Sequence, residues 1–233
     1  MKDEIKIGVL ALQGDFREHK HMLESAFEQS QLVDPSYTDF DLVVDEIRYA
    51  HQIEQIDALV IPGGESTAIA RLTDDCREPI FSAIQQRAAL VAEHPMPIYG
   101  TCMGSIFLAR EIEGSSQGRL ALMDICVRRN AFGPQKKSFE QEIAIDGLTE
   151  DQDYNAVFIR APMIVKTSPE VQVLASIEAM DQKGICMARQ KNLLVSTFHP
   201  ELTEDIRVHR YFLEMVKSAK CLASTSSNFC RSS

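Results

Sequence analysis

The stretch Pro97-Ile98-Tyr99-Gly100-Thr101-Cys102-Met103-Gly104 decides how the chain is read. Its first half is a short apolar run of the kind a fully buried strand presents, and from Cys102 the sequence takes on helical spacing that the reading carries to Glu113. A cysteine between two glycines at the end of a strand and the start of a helix is the thiol counterpart of the G-x-S-x-G nucleophile elbow. The glycines permit a sharp, crowded turn. That turn lifts the sulfur out of the carboxyl edge of a sheet, and the N–H groups of the helix behind it favour an anionic sulfur.

Working outward, short β-branched or apolar runs alternate with longer helical stretches, the pattern of a mostly parallel central sheet flanked by helices, an α/β fold. Towards the N-terminus the expected elements are a strand over 5–12, a helix over 16–27, strands over 42–47 and 58–61, and a helix over 79–93 that starts on Pro79. The polar segment 29–41, with Pro35 inside it, reads as an exposed loop. Beyond the junction the chain is richer in strands, at 124–127, 139–145, 155–159, 171–177, 184–189 and 193–198, and a last helix covers about 204–218. There is no repeat and no linker. The expected organisation is one domain over 1–220 followed by a polar, disordered tail over 221–233.

Bulk properties exclude several classes of function. The chain has 233 residues and is 45% hydrophobic, enough for one well-buried core. A formal net charge of -10 argues against nucleic acid, which is bound through clustered Lys and Arg. No run of about 18 apolar residues is present to span a membrane, and the N-terminus reads as no secretion signal, so a cytoplasmic location is expected. The cysteines at 76, 102, 126, 186, 221 and 230 include no C-x-x-C pair, and the histidines add no metal-ligand spacing, so no metal site is expected.

Two further motifs complete a chemistry around Cys102. Phe198-His199-Pro200-Glu201 follows the last apolar strand, and residues two apart on an extended chain point to the same side, so Glu201 can orient His199. A carboxylate on one imidazole nitrogen leaves the other to take the thiol proton and later give it to a leaving group. Ile61-Pro62-Gly63-Gly64-Glu65-Ser66-Thr67 ends the third strand with adjacent glycines, whose N–H groups can bind an oxyanion ahead of a Ser-capped helix.

In these motifs the sequence resembles the class I glutamine amidotransferases, and among them the glutaminase subunits of pyridoxal 5'-phosphate synthases. Six segments in matching order, spread between residues 5 and 217, carry the resemblance. They are Gly8 to Asp15 with His19 nearby, Pro62 to Thr67, the Cys102 elbow, Arg129-Asn130-Ala131-Phe132-Gly133, Val157 to Pro162, and Phe198 to Leu202. The resemblance implies a flavodoxin-like three-layer fold, hydrolysis of L-glutamine to L-glutamate and ammonia by Cys102, His199 and Glu201, and no cofactor. It further implies that Gly64, Glu65, Ser66, Arg129, Ile159 and Arg160 contact glutamine. Gln13 would organise the oxyanion site when a partner docks, and Met103 would offer its backbone N–H. The implied partner is a synthase subunit that receives the ammonia. The glutaminase of imidazole glycerol phosphate synthesis, an amidotransferase-like cysteine peptidase and a non-catalytic module on the same fold are the alternatives.

Overall fold

The computed structural model describes residues 2–64, 80–89, 95–132, 138–148, 152–179 and 182–229. The chain opens with β1 (Asp3–Leu10), α1 (Phe16–Val33), β2 (Phe40–Ile47) and β3 (Ala58–Ile61). It continues through α2 (Ile80–Ala89), β4 (Ile98–Thr101), α3 (Met103–Leu108), β5 (Ala109–Ile112) and β6 (Met123–Arg128). Strands β7 (Ser138–Ile143), β8 (Tyr154–Ile159), β9 (Met163–Thr167), β10 (Gln172–Ala179), β11 (Gln182–Gln190) and β12 (Leu193–Ser196) follow, and α4 (Arg207–Phe229) closes the chain.

The main sheet has the order β2-β1-β3-β4-β12-β11-β9-β6-β5, with β10 alongside β11. From β2 to β12 every neighbouring pair is parallel, and β11, β9 and β10 add an antiparallel wing. Strands β7 and β8 form a separate antiparallel pair.

Alternation along the central strands builds a core on each face of the sheet. Ala58 and Val60 of β3, with Ile5, Ile7 and Val9 of β1, pack into the layer that holds Leu23 and Phe27 of α1 and Phe212 of α4. Leu59 and Ile61 face the other way, with Ile98 of β4, Val195 of β12, and Ile80 and Ile84 of α2. Strands covered on both faces show as continuous apolar runs, which is why β3 and β4 are legible from sequence. The expected α/β architecture of helices on both faces of a mostly parallel sheet is observed.

Four local expectations give way. Helix α1 continues to Val33 instead of ending near Phe27, because nothing stops it before Pro35. Asp34, the residue before that proline, is extended (φ -128, ψ 106) and its side chain caps a 3-10 turn over Pro35–Tyr37. The segment expected as an exposed loop therefore carries Tyr37, whose ring is fully buried and whose hydroxyl donates to Glu214 Oε1 at 2.8 Å. Helix α3 is only six residues long: the N–H groups of Leu120 and Ala121 reach Phe107 O and that of Leu122 reaches Leu108 O, so its last carbonyls are taken by another segment. The residues expected to prolong it form β5 instead. Strand β9 has no counterpart among the expected elements, and it exists through antiparallel pairing with β6 and β11. Helix α4 runs to Phe229, past the domain limit drawn at Lys220, with no Gly or Pro to end it and with Lys220 Nζ held 2.7 Å from Asp57 Oδ1. No helix among the described residues is long and apolar enough to cross a membrane.

Candidate active site

The carboxyl ends of four adjacent parallel strands, β1, β3, β4 and β12, meet on one edge of the sheet, where open α/β sheets hold their ligands. Each end delivers one expected motif. Strand β4 passes directly into Cys102, whose backbone adopts φ 46, ψ -105, a conformation that costs a non-glycine residue about 1–3 kcal/mol. The elbow is held on both sides: Cys102 N–H donates to Ser196 O at 2.8 Å, and its carbonyl accepts from Ser105 Oγ. Behind it, a Cβ on Gly104 would stand 2.1 Å from Ile61 O, so only glycine lets α3 start this close to β3.

Strand β12 lies beside β4 with Ser196 opposite Thr101, so three residues further on His199 stands near the elbow. Its N–H donates to Val157 O at 2.8 Å, and its Nδ1 lies 2.7 Å from Glu201 Oε1, both side chains being buried. The expected orientation of His199 by Glu201 is thus present, through a 3-10 turn over Pro200–Leu202 rather than an extended strand. Burial alone would pull the His199 imidazole down. Hydrogen bonds to Cys102 and Glu201, with the charges of both, outweigh it and carry the ring up to about 10. Burial likewise opposes ionisation of Glu201, but the adjoining His19 and the hydrogen bond from His199 hold the carboxyl down at about 2. Burial keeps His19 itself below the usual imidazole range.

The β3 loop closes the site from the side. A Cβ on Gly63 would fall 2.5 Å from His199 Cε1 and 3.4 Å from Cys102 Cβ, so bare backbone fills the gap between nucleophile and imidazole. Gly64 lies against Gln13, whose Oε1 is buried with no hydrogen-bond partner among the described residues. Glu65 and Ser66 lie outside the described residues. Ile159 comes close through its carbonyl, 3.9 Å from Cys102 Sγ, and the residue is 37% exposed. Arg160 is exposed, has φ 46, and makes no hydrogen bond or ion pair among the described residues. Arg129 is half-buried and donates to Gln117 Oε1 at 3.0 Å.

Sequence reasoning missed two neighbours of the pair. Asp15 Oδ2 lies 4.0 Å from His199 Nδ1, and burial followed by repulsion from Glu201 raises its carboxyl. Asp15, His199 and Glu201 bring ligand atoms within 4.8 Å of one another, but the short Nδ1···Oε1 bond claims two of the three. His19 lies 3.3 Å from Glu201 Oε2. A signal for it exists in the sequence, because His19 falls on the same helical stripe as Met22, Leu23, Ala26 and Phe27, where an apolar residue is expected.

Known proteins match the chain closely in sequence and in fold. Residues 9–218 match the SNO glutamine amidotransferase family. "Pyridoxal 5'-phosphate synthase subunit PdxT" of Carboxydothermus hydrogenoformans is 46% identical over 214 residues, covering 91% of this chain and 98% of that protein. The protein of the same name from Pelotomaculum thermopropionicum is 46% identical, covering 90% and 94%. A crystal structure described as a glutamine amidotransferase superposes with a TM-score of 0.71 at 41% identity, covering 90% of this chain and 98% of the other. A glutamine amidotransferase from Thermotoga maritima, 12% identical with a TM-score of 0.54 over 94% of each chain, shows the shared fold alone. Matches that run almost end to end, in sequence and in backbone, leave one assignment: the chain belongs to the SNO glutamine amidotransferase family.

Proposed function

We propose that the chain hydrolyses L-glutamine to L-glutamate and ammonia as the glutaminase subunit of a pyridoxal 5'-phosphate synthase, and that the ammonia passes to a synthase subunit. The observation that carries this reading is the buried 2.7 Å contact between His199 Nδ1 and Glu201 beside the strained Cys102 elbow. With Glu201 on Nδ1, Nε2 of His199 is left to exchange a proton with the sulfur and the substrate.

Cys102 Sγ attacks the side-chain amide carbon, and the oxyanion that forms is met by backbone N–H groups of the Gly63-Gly64 loop and of Met103. His199 gives its proton to the amide nitrogen, the C–N bond breaks, and ammonia leaves a thioester on Cys102. Water then attacks the thioester with His199 as base, a second tetrahedral species collapses, and glutamate departs as the thiol is restored. The exposed guanidinium of Arg160, unpaired among the described residues, suits the substrate's free carboxylate, and Ile159, Gly64, Glu65, Ser66 and Arg129 complete the proposed glutamine site. We infer a cytoplasmic location, where a thiol nucleophile stays reduced.

The test is glutamate release with and without the synthase subunit, on the wild type and on Cys102→Ala. Wild-type activity should be low alone and rise sharply on mixing, and Cys102→Ala should fold and release none. Turnover retained by the alanine variant would sink the assignment.

A further inference from the structure

The triad uses His199 and one oxygen of Glu201, and a buried polar cluster lies behind them. His19 on α1 and His209 on α4 are both fully shielded from solvent. Nε2 of His19 stands 3.3 Å from Glu201 Oε2 and 3.1 Å from Thr101 Oγ1, and its Nδ1 stands 3.0 Å from His209 Nε2. Two imidazoles in a core that apolar side chains could fill are costly unless their polar atoms are used.

The contacts fix the protons. Two neutral rings joined Nδ1 to Nε2 share one proton, and there are two ways to place it. If His19 carries it on Nδ1, the bare Nε2 turns a lone pair towards the Glu201 carboxylate. His209 then keeps a buried N–H on Nδ1, an atom with no hydrogen-bond partner among the described residues. If His209 carries it on Nε2, the unpartnered Nδ1 is only a lone pair, and His19 holds its own proton on Nε2, aimed at Glu201 and Thr101. The second arrangement strands an acceptor rather than a donor and removes the repulsion. Burial keeps both rings uncharged: His19 is lowered, and His209 is pushed down to about 3.

Glu201 Oε2 is the open end of this chain. It is buried, and at 3.3 Å the His19 contact is not aligned well enough to satisfy it. Hydrogen bonds in unliganded sites are often long and tighten when substrate engages. Thr101, which shares His19 Nε2, is the residue immediately before Cys102, so one imidazole touches both the root of the elbow and the carboxylate that orients the base.

We propose that His19, with its tautomer set by His209, is a positioning residue for glutamine hydrolysis: it holds the second oxygen of Glu201 and thereby aims His199 at Cys102. This rests on the glutaminase reading, and wild-type glutamate release with the synthase subunit present is the arm that judges that reading. His19→Leu removes the polar atoms at similar volume, and His19→Gln returns an N–H near the Nε2 position. His19→Leu should lower kcat on the order of 10- to 100-fold, the scale on which partners one layer behind a functional group act, with KM for glutamine little changed. His19→Gln should recover most of the loss. In a Glu201→Gln background, His19→Leu should cost about twofold or less, because its point of action is gone. A purely structural role would cost the same factor in both backgrounds.

Alkylation of Cys102 by iodoacetamide, followed by mass spectrometry, needs no turnover and should be slower in His19→Leu than in the wild type or His19→Gln. An active wild type whose His19→Leu variant keeps its kcat, or loses it equally in the Glu201→Gln background, overturns the inference. A wild type that releases no glutamate rejects the glutaminase reading, and equal alkylation rates would then reject the role of His19 as well. Should His19→Leu fail to fold, His209→Leu, which removes the donor that sets the tautomer, carries the same comparison. A loss that vanishes in the Glu201→Gln background supports the inference, and an equal loss in both overturns it.

Discussion

Replacing Gly63 by alanine tests whether the site depends on bare backbone between Cys102 and His199. The added Cβ would stand 2.5 Å from His199 Cε1, about 0.9 Å short of the 3.4 Å at which ordinary contact begins. His199 cannot yield that distance freely, because its Nδ1 is held 2.7 Å from Glu201 and its N–H 2.8 Å from Val157 O. Either the ring tilts and lengthens the Glu201 bond, or the glycine loop retreats and takes its N–H groups out of line. A displacement of about 1 Å at a reacting centre costs on the order of 100-fold in rate, or about 2.7 kcal/mol of barrier. The assay is kcat for glutamate release with the synthase subunit present, together with the melting temperature. Gly118→Ala is the control, since a Cβ there meets nothing within 4 Å and its φ is ordinary. A Gly63→Ala enzyme with wild-type kcat and an unchanged melting point would refute the packing argument.

Two further outcomes follow from the same structure. Glu201 is held at about 2 against an ordinary 4.5, so its ionised form contributes stability that is fully present above pH 4.5 and lost as the pH falls towards 2. Urea midpoints for the wild type and Glu201→Gln should therefore converge across that window, and a gap that stayed constant would contradict the charge assignment. Tyr37→Phe removes the hydroxyl that donates to Glu214 while keeping the buried ring, which should cost about 1 kcal/mol and 2–4 °C in melting temperature without altering kcat. A change of kcat in that variant would show that the α1–α4 seam reaches the site.

The site is more legible than the fold around it because its signals are local. Gly100 to Gly104, Gly63-Gly64 and His199-Pro200-Glu201 each need unusual backbone or short-range spacing, and unusual residues mark them. The missed pieces depend on partners far along the chain. Ala109 to Ile112 has the composition of a helix end, yet Phe107 O and Leu108 O are claimed by residues 120–122, and only that competition turns the segment into a strand. Met163 to Thr167 is a strand because β6 and β11 accept it. Gln29-Ser30-Gln31 reads as loop by polarity, although Ser30 is buried and returns its hydroxyl to Ala26 O inside the helix. What His19 and His209 touch is hidden for the same reason: the place of His19 on an apolar stripe marks it, but the ring that each meets lies 190 residues away.

Register joins these two kinds of information. Cys102 and His199 are 97 residues apart, and nothing local tells either where the other is. What brings them together is the parallel pairing of Ile98 to Thr101 with Leu193 to Ser196, in which every residue is buried. Side chains alternate between faces along a strand, so a slip of β12 by one residue would send Leu194, which shares a layer with Tyr99, into the opposite layer and displace His199 relative to the elbow by about 3.3 Å. The identities of eight buried strand residues therefore set the distance between thiol and imidazole, although none of the eight belongs to the proposed catalytic pair. A substitution that keeps volume but buries an unpartnered hydroxyl against this seam, such as Val195→Thr, should reduce kcat through geometry before it unfolds the chain, because the site tolerates far less displacement than the core does.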